Sequence, residues 1–460
     1  MLLDRKIKPA PKQEIDFNLP DIKHLFPSGK EDGLRTYFVE KNNLPLVQIN
    51  LIINAGSKFD PAGKKGLSNL TAMTIDEGAG EYNSLQLSDE FDILGSSFNV
   101  SSDEDLITFS LKTLKENFNR SLELLKLIVS EPLFSQKDFE REKRKIQIKL
   151  LQLKDDPEQI ADILFDELIF TSQSPYSYPV IGNEDNLKNI EIKDVKEYYQ
   201  KFFHIKNSAL FIVGDISENE VKNSLYELEK VVSNSKLNGS KLNIPNVNRN
   251  KTHIYIFHKE NSVQSEIRVG HLSDKRNEKD YYRKLVMNNI LGGQFSSRIN
   301  LNLRENKGYT YGAFSRFNYF KDAGYFYVST SVGIENTANA LKEILFELNE
   351  IKNGAKKEEL EFSKSSIIRK FPSNFETNRQ IASNLISKYV FGLPQDYFNN
   401  YLGNIKSLTK EEINKTAVEN ILTDNLTIVV VGDKNKIKSE LGSLGAGEVI
   451  EVNLLGEIID

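Results

Sequence analysis

Asn207-Ser-Ala-Leu-Phe-Ile-Val-Gly-Asp215 and Asn425-Leu-Thr-Ile-Val-Val-Val-Gly-Asp433 are two versions of one pattern, a short apolar run closed by Gly-Asp. Each predicts a buried strand ending in a turn, since an unbroken apolar run of this length suits a strand covered on both faces. A helical segment precedes each at the same distance, 194–203 in the first case and 411–421 in the second. Upstream lies another pair. The strand at 106–111 and the helix at 117–129 parallel the strand at 325–330 and the helix at 336–351. Both pairs are offset by about 218 residues. A single match between β-rich strings is common, but two at one offset signal an internal duplication.

Working outward, the duplication divides the chain into an N-terminal extension at 1–20, a domain at 21–232, a linker at 233–250 and a second domain at 251–460. The linker is rich in Asn, Ser, Gly and Lys, a composition that resists packing. In the first domain, 36–40 and 47–53 read as strands and 67–77 as a helix. A helix at 85–94, strands at 97–102 and 106–111, and long helices at 117–129, 136–154 and 158–169 follow. Strands and helices in segregated runs predict an α+β class: two homologous domains, each an antiparallel-rich sheet packed with helices. Two such domains on one join predict a half-clamshell with a concave inner face.

Composition narrows the function. The 460 residues carry 39% hydrophobic and 27% charged side chains, a profile of soluble globular proteins. A net charge of −5 argues against nucleic acid as a partner, which would need a basic face. The absence of cysteine removes disulfides, thiolate zinc sites and cysteine nucleophiles together. No stretch reaches the ~18 apolar residues of a membrane span, and the N-terminus lacks the apolar core of a signal peptide. The expected compartment is the cytoplasm, with the periplasm left open should a leader have been removed. The five histidines, His24, His204, His253, His258 and His271, include no pair at i, i+4. His253 and His258, five apart on a strand, point to opposite faces.

Gly66-Leu-Ser-Asn-Leu-Thr-Ala-Met-Thr-Ile-Asp-Glu-Gly78, following the Asn54-Ala-Gly56-Ser turn, resembles the zinc helix of the insulinase/pitrilysin superfamily, the inverzincins. That helix carries H-x-x-E-H, two histidine ligands and a Glu that acts as general base. Here the same positions hold Asn69, Ala72 and Met73. The family's third ligand, a Glu on a later helix with a supporting Glu seven residues before it, falls on Lys149, and Glu142 matches the supporting position. An amide and a thioether are poor zinc ligands, Ala72 cannot take a proton, and an ammonium repels a divalent cation. Taken without the family, Asn69 and Met73 read as ordinary helix residues and Lys149 as part of a solvated face. No metal and no cofactor are expected in this chain.

The second domain contains Leu291-Gly-Gly-Gln-Phe-Ser-Ser-Arg-Ile-Asn-Leu-Asn-Leu-Arg304-Glu-Asn-Lys-Gly-Tyr-Thr-Tyr311-Gly312. Active members of the superfamily carry an Arg at a helix end and a Tyr seven residues later, opposite the zinc. Arg304 and Tyr311 match that spacing, with Leu303, Gly308 and Gly312 as fitting neighbours. By resemblance, the phenol donates to the developing oxyanion and the guanidinium holds peptide carbonyls. Without the family context, the same segment is a helix stop with a glycine cap and an aromatic on the next strand. Gly292 and Gly293 read as a helix C-cap and not as a phosphate loop.

The resemblance spans about residues 34–433 and implies the zinc-less, Arg/Tyr-bearing subunit of a heterodimeric bacterial-type peptidase. Its expected partner is a similar-sized chain with H-x-x-E-H that supplies the zinc, and its expected substrates are short unfolded peptides. Such peptides add as a strand to a sheet edge, although the edge around 97–102 could serve structure more than capture. Alone, the chain would not cut peptides, and its exposed inner face would favour a homodimer. The alternatives are a scaffold or a peptide carrier of peptidase ancestry without a proteolytic role. A self-sufficient peptidase is disfavoured, because no Ser/His/Asp or carboxylate constellation stands out.

Overall fold

The computed structural model describes residues 17–25, 33–231, 251–276 and 278–459. The linker expected at 233–250 and most of the expected N-terminal extension lie outside those residues. In chain order the strands are β1 (Lys23–Leu25), β2 (Arg35–Glu40), β3 (Leu46–Ile53), β4 (Gly78–Ala79), β5 (Tyr82–Asn83), β6 (Ser97–Ser102) and β7 (Ile107–Leu114). They continue as β8 (Ser208–Gly214), β9 (His253–His258), β10 (Gln264–Ser273), β11 (Ala313–Tyr319), β12 (Gly324–Gly333), β13 (Thr427–Gly432) and β14 (Glu448–Glu451).

Two six-stranded sheets result, ordered β1-β2-β8-β3-β7-β6 and β14-β9-β13-β10-β12-β11. An offset of 218 residues carries Arg35 of β2 onto His253 of β9, and Leu46 of β3 onto Gln264 of β10. The two Gly-Asp strands, β8 and β13, occupy the same central place and are buried along their whole length. Each is antiparallel to one neighbour (β3 or β10) and parallel to the other (β2 or β9). The α+β expectation of two like, antiparallel-rich sheets packed with helices therefore holds.

Local chemistry fixes the helix ends. Ser135 Oγ accepts from the Asp138 N–H at the start of the Gln136–Leu153 helix. Asp156 accepts from Glu158 and Gln159, with Pro157 in the first turn, to open the Pro157–Phe170 helix. One expected helix is shorter than its pattern. The segment 67–77 is helical only over Leu67–Thr74, because Gly78 takes φ of +135° and the chain turns into the small β4–β5 ribbon.

Packing does not follow the division read from the sequence. The Pro157–Phe170 helix precedes β8 in the chain, yet it packs on β10 and β13 of the second sheet. There Ile160, Leu164 and Phe165 join Tyr325, Val429 and Val431 in one cluster. In return, the Asn378–Val390 helix packs on β8 and β3 of the first sheet. Tyr389 meets Tyr37 and Phe211 edge-on, with ring centroids 5.8 and 5.9 Å apart. Each sheet thus has one face completed by a helix from the other half.

A buried ion triad ties the halves together beside this exchange. Lys58, with 2% of its side chain exposed, lies 2.7 Å from Asp105 and 2.9 Å from Asp322 of the second half. The Tyr176 hydroxyl donates to Asp105 at 3.0 Å, and the Lys321 N–H donates to the same carboxylate at 2.8 Å. No helix among the described residues is long and apolar enough to cross a membrane.

Candidate functional site

The zinc-side positions come together only in part. Asn69 and Met73 share one face of the Leu67–Thr74 helix, and the Asn69 amide lies 3.6 Å from the Met73 sulfur. Ala72 is buried against the core. Lys149 stands exposed on the Gln136–Leu153 helix. Glu142, two turns earlier, is buried and neutralised by Arg141 at 2.9 Å and Lys145 at 2.8 Å. Arg141 also reaches Glu77 and Asp138. Among the described residues no group of three His, Cys, Asp or Glu side chains could hold a metal ion. An amide hydrogen-bonded to a thioether, with an ammonium in solvent, does not fit zinc.

Asp76, just past this helix, keeps an unusual carboxyl. Burial pushes it up to about 7, and Glu77 and Glu142 push the same way. A carboxyl raised on folding favours the protonated state, so its contribution to stability is present at low pH and lost as pH rises through 7. Asp76→Asn should therefore stabilise the chain at pH 8 by on the order of 2 kcal/mol, with the gain shrinking toward pH 4. Thermal melts of both proteins across that range test it; a gain that is flat or grows as pH falls refutes it.

Arg304 and Tyr311 sit on the second half, on a segment held firmly at both ends. Arg304 lies in a π-helical turn, Leu301–Asn306. Such wide turns are rare, occur mostly as single turns and often mark functional positions. Its guanidinium stacks on the Phe295 ring, 4.4 Å from the centroid, and its charged neighbour Glu305 is 3.6 Å away. Sequence reasoning passed over Phe295, an aromatic two residues past the Gly292-Gly293 cap that the structure leaves 66% exposed. Gly292 and Gly293 do cap the Glu278–Leu291 helix, both N–H groups donating to Asn288 O.

Past Arg304 the loop reverses at Gly308, φ +67°. Lys307 pairs with Glu343 at 3.0 Å, and the Tyr309 N–H donates to Leu303 O at 2.9 Å. Thr330 Oγ1 donates to the Gly312 carbonyl, and the Ala313 N–H donates to Asn300 Oδ1. Tyr309 turns inward against the core. Tyr311 instead is 94% exposed. The seven-residue step therefore selects the tyrosine that faces outward, from a backbone that the core anchors.

Two of the histidines, His271 and His258, serve structure. His271 Nε2 accepts from the Leu422 N–H at 3.1 Å, so the proton sits on Nδ1, 2.8 Å from Leu272 O. Burial pushes this ring down to about 4 and keeps it neutral. His258 Nδ1 accepts from the Lys434 N–H. Separate from all these groups, a cavity of about 970 Å³ lies between the halves, over β3, β7 and β6 and under the Asn378–Val390 helix. Neither Arg304 nor Tyr311 lines it.

Residues 36–176 match the family described as Insulinase (Peptidase family M16), and residues 189–367 match the Peptidase M16 inactive domain. The chain is similar to the non-peptidase homolog YmxG of Helicobacter pylori, 23% identical over 405 residues, covering 87% of this chain and 92% of that protein. It is also similar to the zinc protease PqqE of Helicobacter pylori, 24% identical over 368 residues, covering 76% and 80% of the two chains. Among solved structures, the peptidase M16 inactive domain from Pseudomonas fluorescens superposes with a TM-score of 0.82. That match is at 23% identity over 90% of this chain and 98% of that one, a likeness of fold.

Proposed function

Because the chain belongs to the insulinase family (peptidase family M16), we propose that it is the non-catalytic, substrate-holding subunit of a two-chain zinc endopeptidase acting on short unfolded peptides. The observation that carries this reading is an asymmetry between the two halves. On the first half, Asn69, Ala72, Met73 and Lys149 stand at the metal and base positions, and none offers zinc chemistry. On the second half, Arg304 and Tyr311 keep the family's spacing and face outward from an anchored loop. A pure scaffold has no use for a platform-mounted guanidinium followed seven residues on by an exposed phenol.

The zinc would come from a similar-sized partner chain carrying H-x-x-E-H. That a single organism, Helicobacter pylori, has both a non-peptidase homolog and a zinc protease similar to this chain supports such a pairing. In the complex, Tyr311 would donate to the oxyanion formed at the scissile carbonyl. Arg304 would fix the peptide's register with its planar fork. The two like units, 21–232 and 251–460, would each present an inner face to the partner.

The test mixes this chain with the H-x-x-E-H chain of its own organism and follows cleavage of quenched fluorescent peptides, with and without chelator. Cleavage by the mixture alone, abolished by chelator, is the expected outcome. Chelator-sensitive cleavage by this chain in isolation would overturn the assignment of Asn69, Ala72, Met73 and Lys149. A stable complex that cleaves nothing would instead mark a scaffold or a peptide carrier.

A further inference from the structure

One face of the first sheet changes character across its width. Over β8 it is apolar and lies under the Asn378–Val390 helix, with Tyr37 of β2 against Tyr389. Over β3, β7 and β6 it is polar. Strand register aligns Gln48, Lys112 and Ser97 in one row and Asn50, Ser110 and Asn99 in the next. Alternate residues share a face, so these rows form one polar grid, continued by Thr108 and Ser101. Gln48 and Asn50 are only 3% and 8% exposed. The Gln48 amide donates to Asn50 Oδ1 at 2.9 Å and to Ser110 Oγ at 3.1 Å. A close-packed interface between halves would place apolar residues here; the grid instead floors the 970 Å³ cavity.

The cavity has a charge at each end. Lys112 and Arg379 line one end, and neither has an ion-pair partner among the described residues. They meet because Asn378 donates to Leu46 O, and Leu46 pairs with Leu114, which sets the start of the Asn378–Val390 helix at this end. The positive pole of the helix dipole adds to the two side chains. The hairpin at 103–105 lines the other end. Asp105 is committed to Lys58 and the Lys321 N–H, and Asp103 accepts the N–H groups of Asp105 and Leu106. Glu104 has no cation paired with it among the described residues. Its carboxyl is pushed up to about 7 by burial and by flanking Asp103 and Asp105, a condition that an incoming ammonium would relieve.

The separation of the poles sets a length. From Lys112 to Ile107 the strand climbs roughly 17 Å, with the hairpin next beyond. An extended chain covers about 3.3–3.6 Å per residue, so about five residues bridge the poles.

We propose that this cavity binds a short zwitterionic peptide of about five residues, extended along the polar grid, with its α-carboxylate at Lys112 and Arg379 and its α-ammonium at Glu104. Asn99, Ser101 and Thr108 supply polar partners for its backbone. The site is complete within one chain, goes beyond the reading of a peptidase subunit and does not depend on a zinc-bearing partner.

Calorimetric titration of the isolated full chain with the pentapeptide Ala-Ser-Ala-Ser-Ala tests it. Its N-acetylated form, its C-amidated form and the tripeptide Ala-Ser-Ala serve as comparisons. The free pentapeptide should bind, and acetylation, amidation or shortening should each weaken binding by about tenfold or more. The double variant Lys112→Met/Arg379→Gln should lose discrimination against the amide alone. Glu104→Gln should lose discrimination against the acetyl form alone, and circular dichroism checks that both variants fold. No binding by the free pentapeptide at millimolar concentration, or equal affinity for capped and free ends, overturns the proposal. Because nothing is cleaved and no second chain is present, failure here is distinct from failure of the two-chain reading.

Discussion

In a complex with a zinc-bearing M16 chain, Tyr311→Phe should lower kcat for peptide cleavage about 10²–10³-fold while KM barely moves. The phenol hydroxyl is the only atom removed, and it would matter where negative charge develops, in the transition state and not in the bound peptide. Arg304→Ala should act differently, raising KM and lowering kcat together, because a planar fork that sets register contributes before and during reaction. Phe295→Ala should reproduce a weaker version of the arginine's effect, since the guanidinium rests on that ring at 4.4 Å. Steady-state kinetics of the three variants in the mixed complex separate these patterns. If cleavage by the complex survives all three changes intact, Arg304 and Tyr311 take no part in it.

The second large effect is on stability. Lys58→Met should destabilise the chain by about 3–5 kcal/mol, the usual consequence of breaking a buried ion pair from one side. With Lys58 gone, Asp105 remains 7% exposed without its cation, and Asp322 keeps only the 3.4 Å hydrogen bond from the Tyr176 hydroxyl across the halves. Adding Asp105→Asn to Lys58→Met should recover part of the loss, because the stranded charge is then removed as well. Urea titrations of the parent and both variants provide the measure. A Lys58→Met protein as stable as the parent would mean that the triad contributes nothing to holding the halves together.

Much of the architecture could be read from residues alone, for a physical reason. Buried central strands need unbroken apolar runs, so β8 and β13 advertised themselves, and their shared Gly-Asp endings exposed the duplication. Spacing alone separates Tyr311 from its neighbour Tyr309, and the structure adds that Tyr309 packs inward while Tyr311 is exposed. The Leu67–Thr74 helix ran too long in the sequence reading because Ile75 continues its apolar pattern while the backbone is already being turned by Gly78. Exchange of helices was not legible. The apolar stripe of Ile160, Leu164 and Phe165 shows that a face is buried, but not which sheet buries it. The polar grid was half visible in the alternation Gln48-Ile49-Asn50-Leu51. Its pairing with Lys112, Ser110 and Asn99 needed the register of three strands.

The crossed helices also set a timetable for synthesis. The Pro157–Phe170 helix leaves the ribosome well before β13, which ends at Gly432, and its docking surface is unfinished until that strand exists. At about 5–20 residues per second, the intervening chain takes on the order of ten to fifty seconds to appear. Throughout that interval the apolar helix face lacks the β13 part of its native cover, and the first sheet waits for Asn378–Val390. The nascent chain is thus a natural client for a holdase until its last strands arrive.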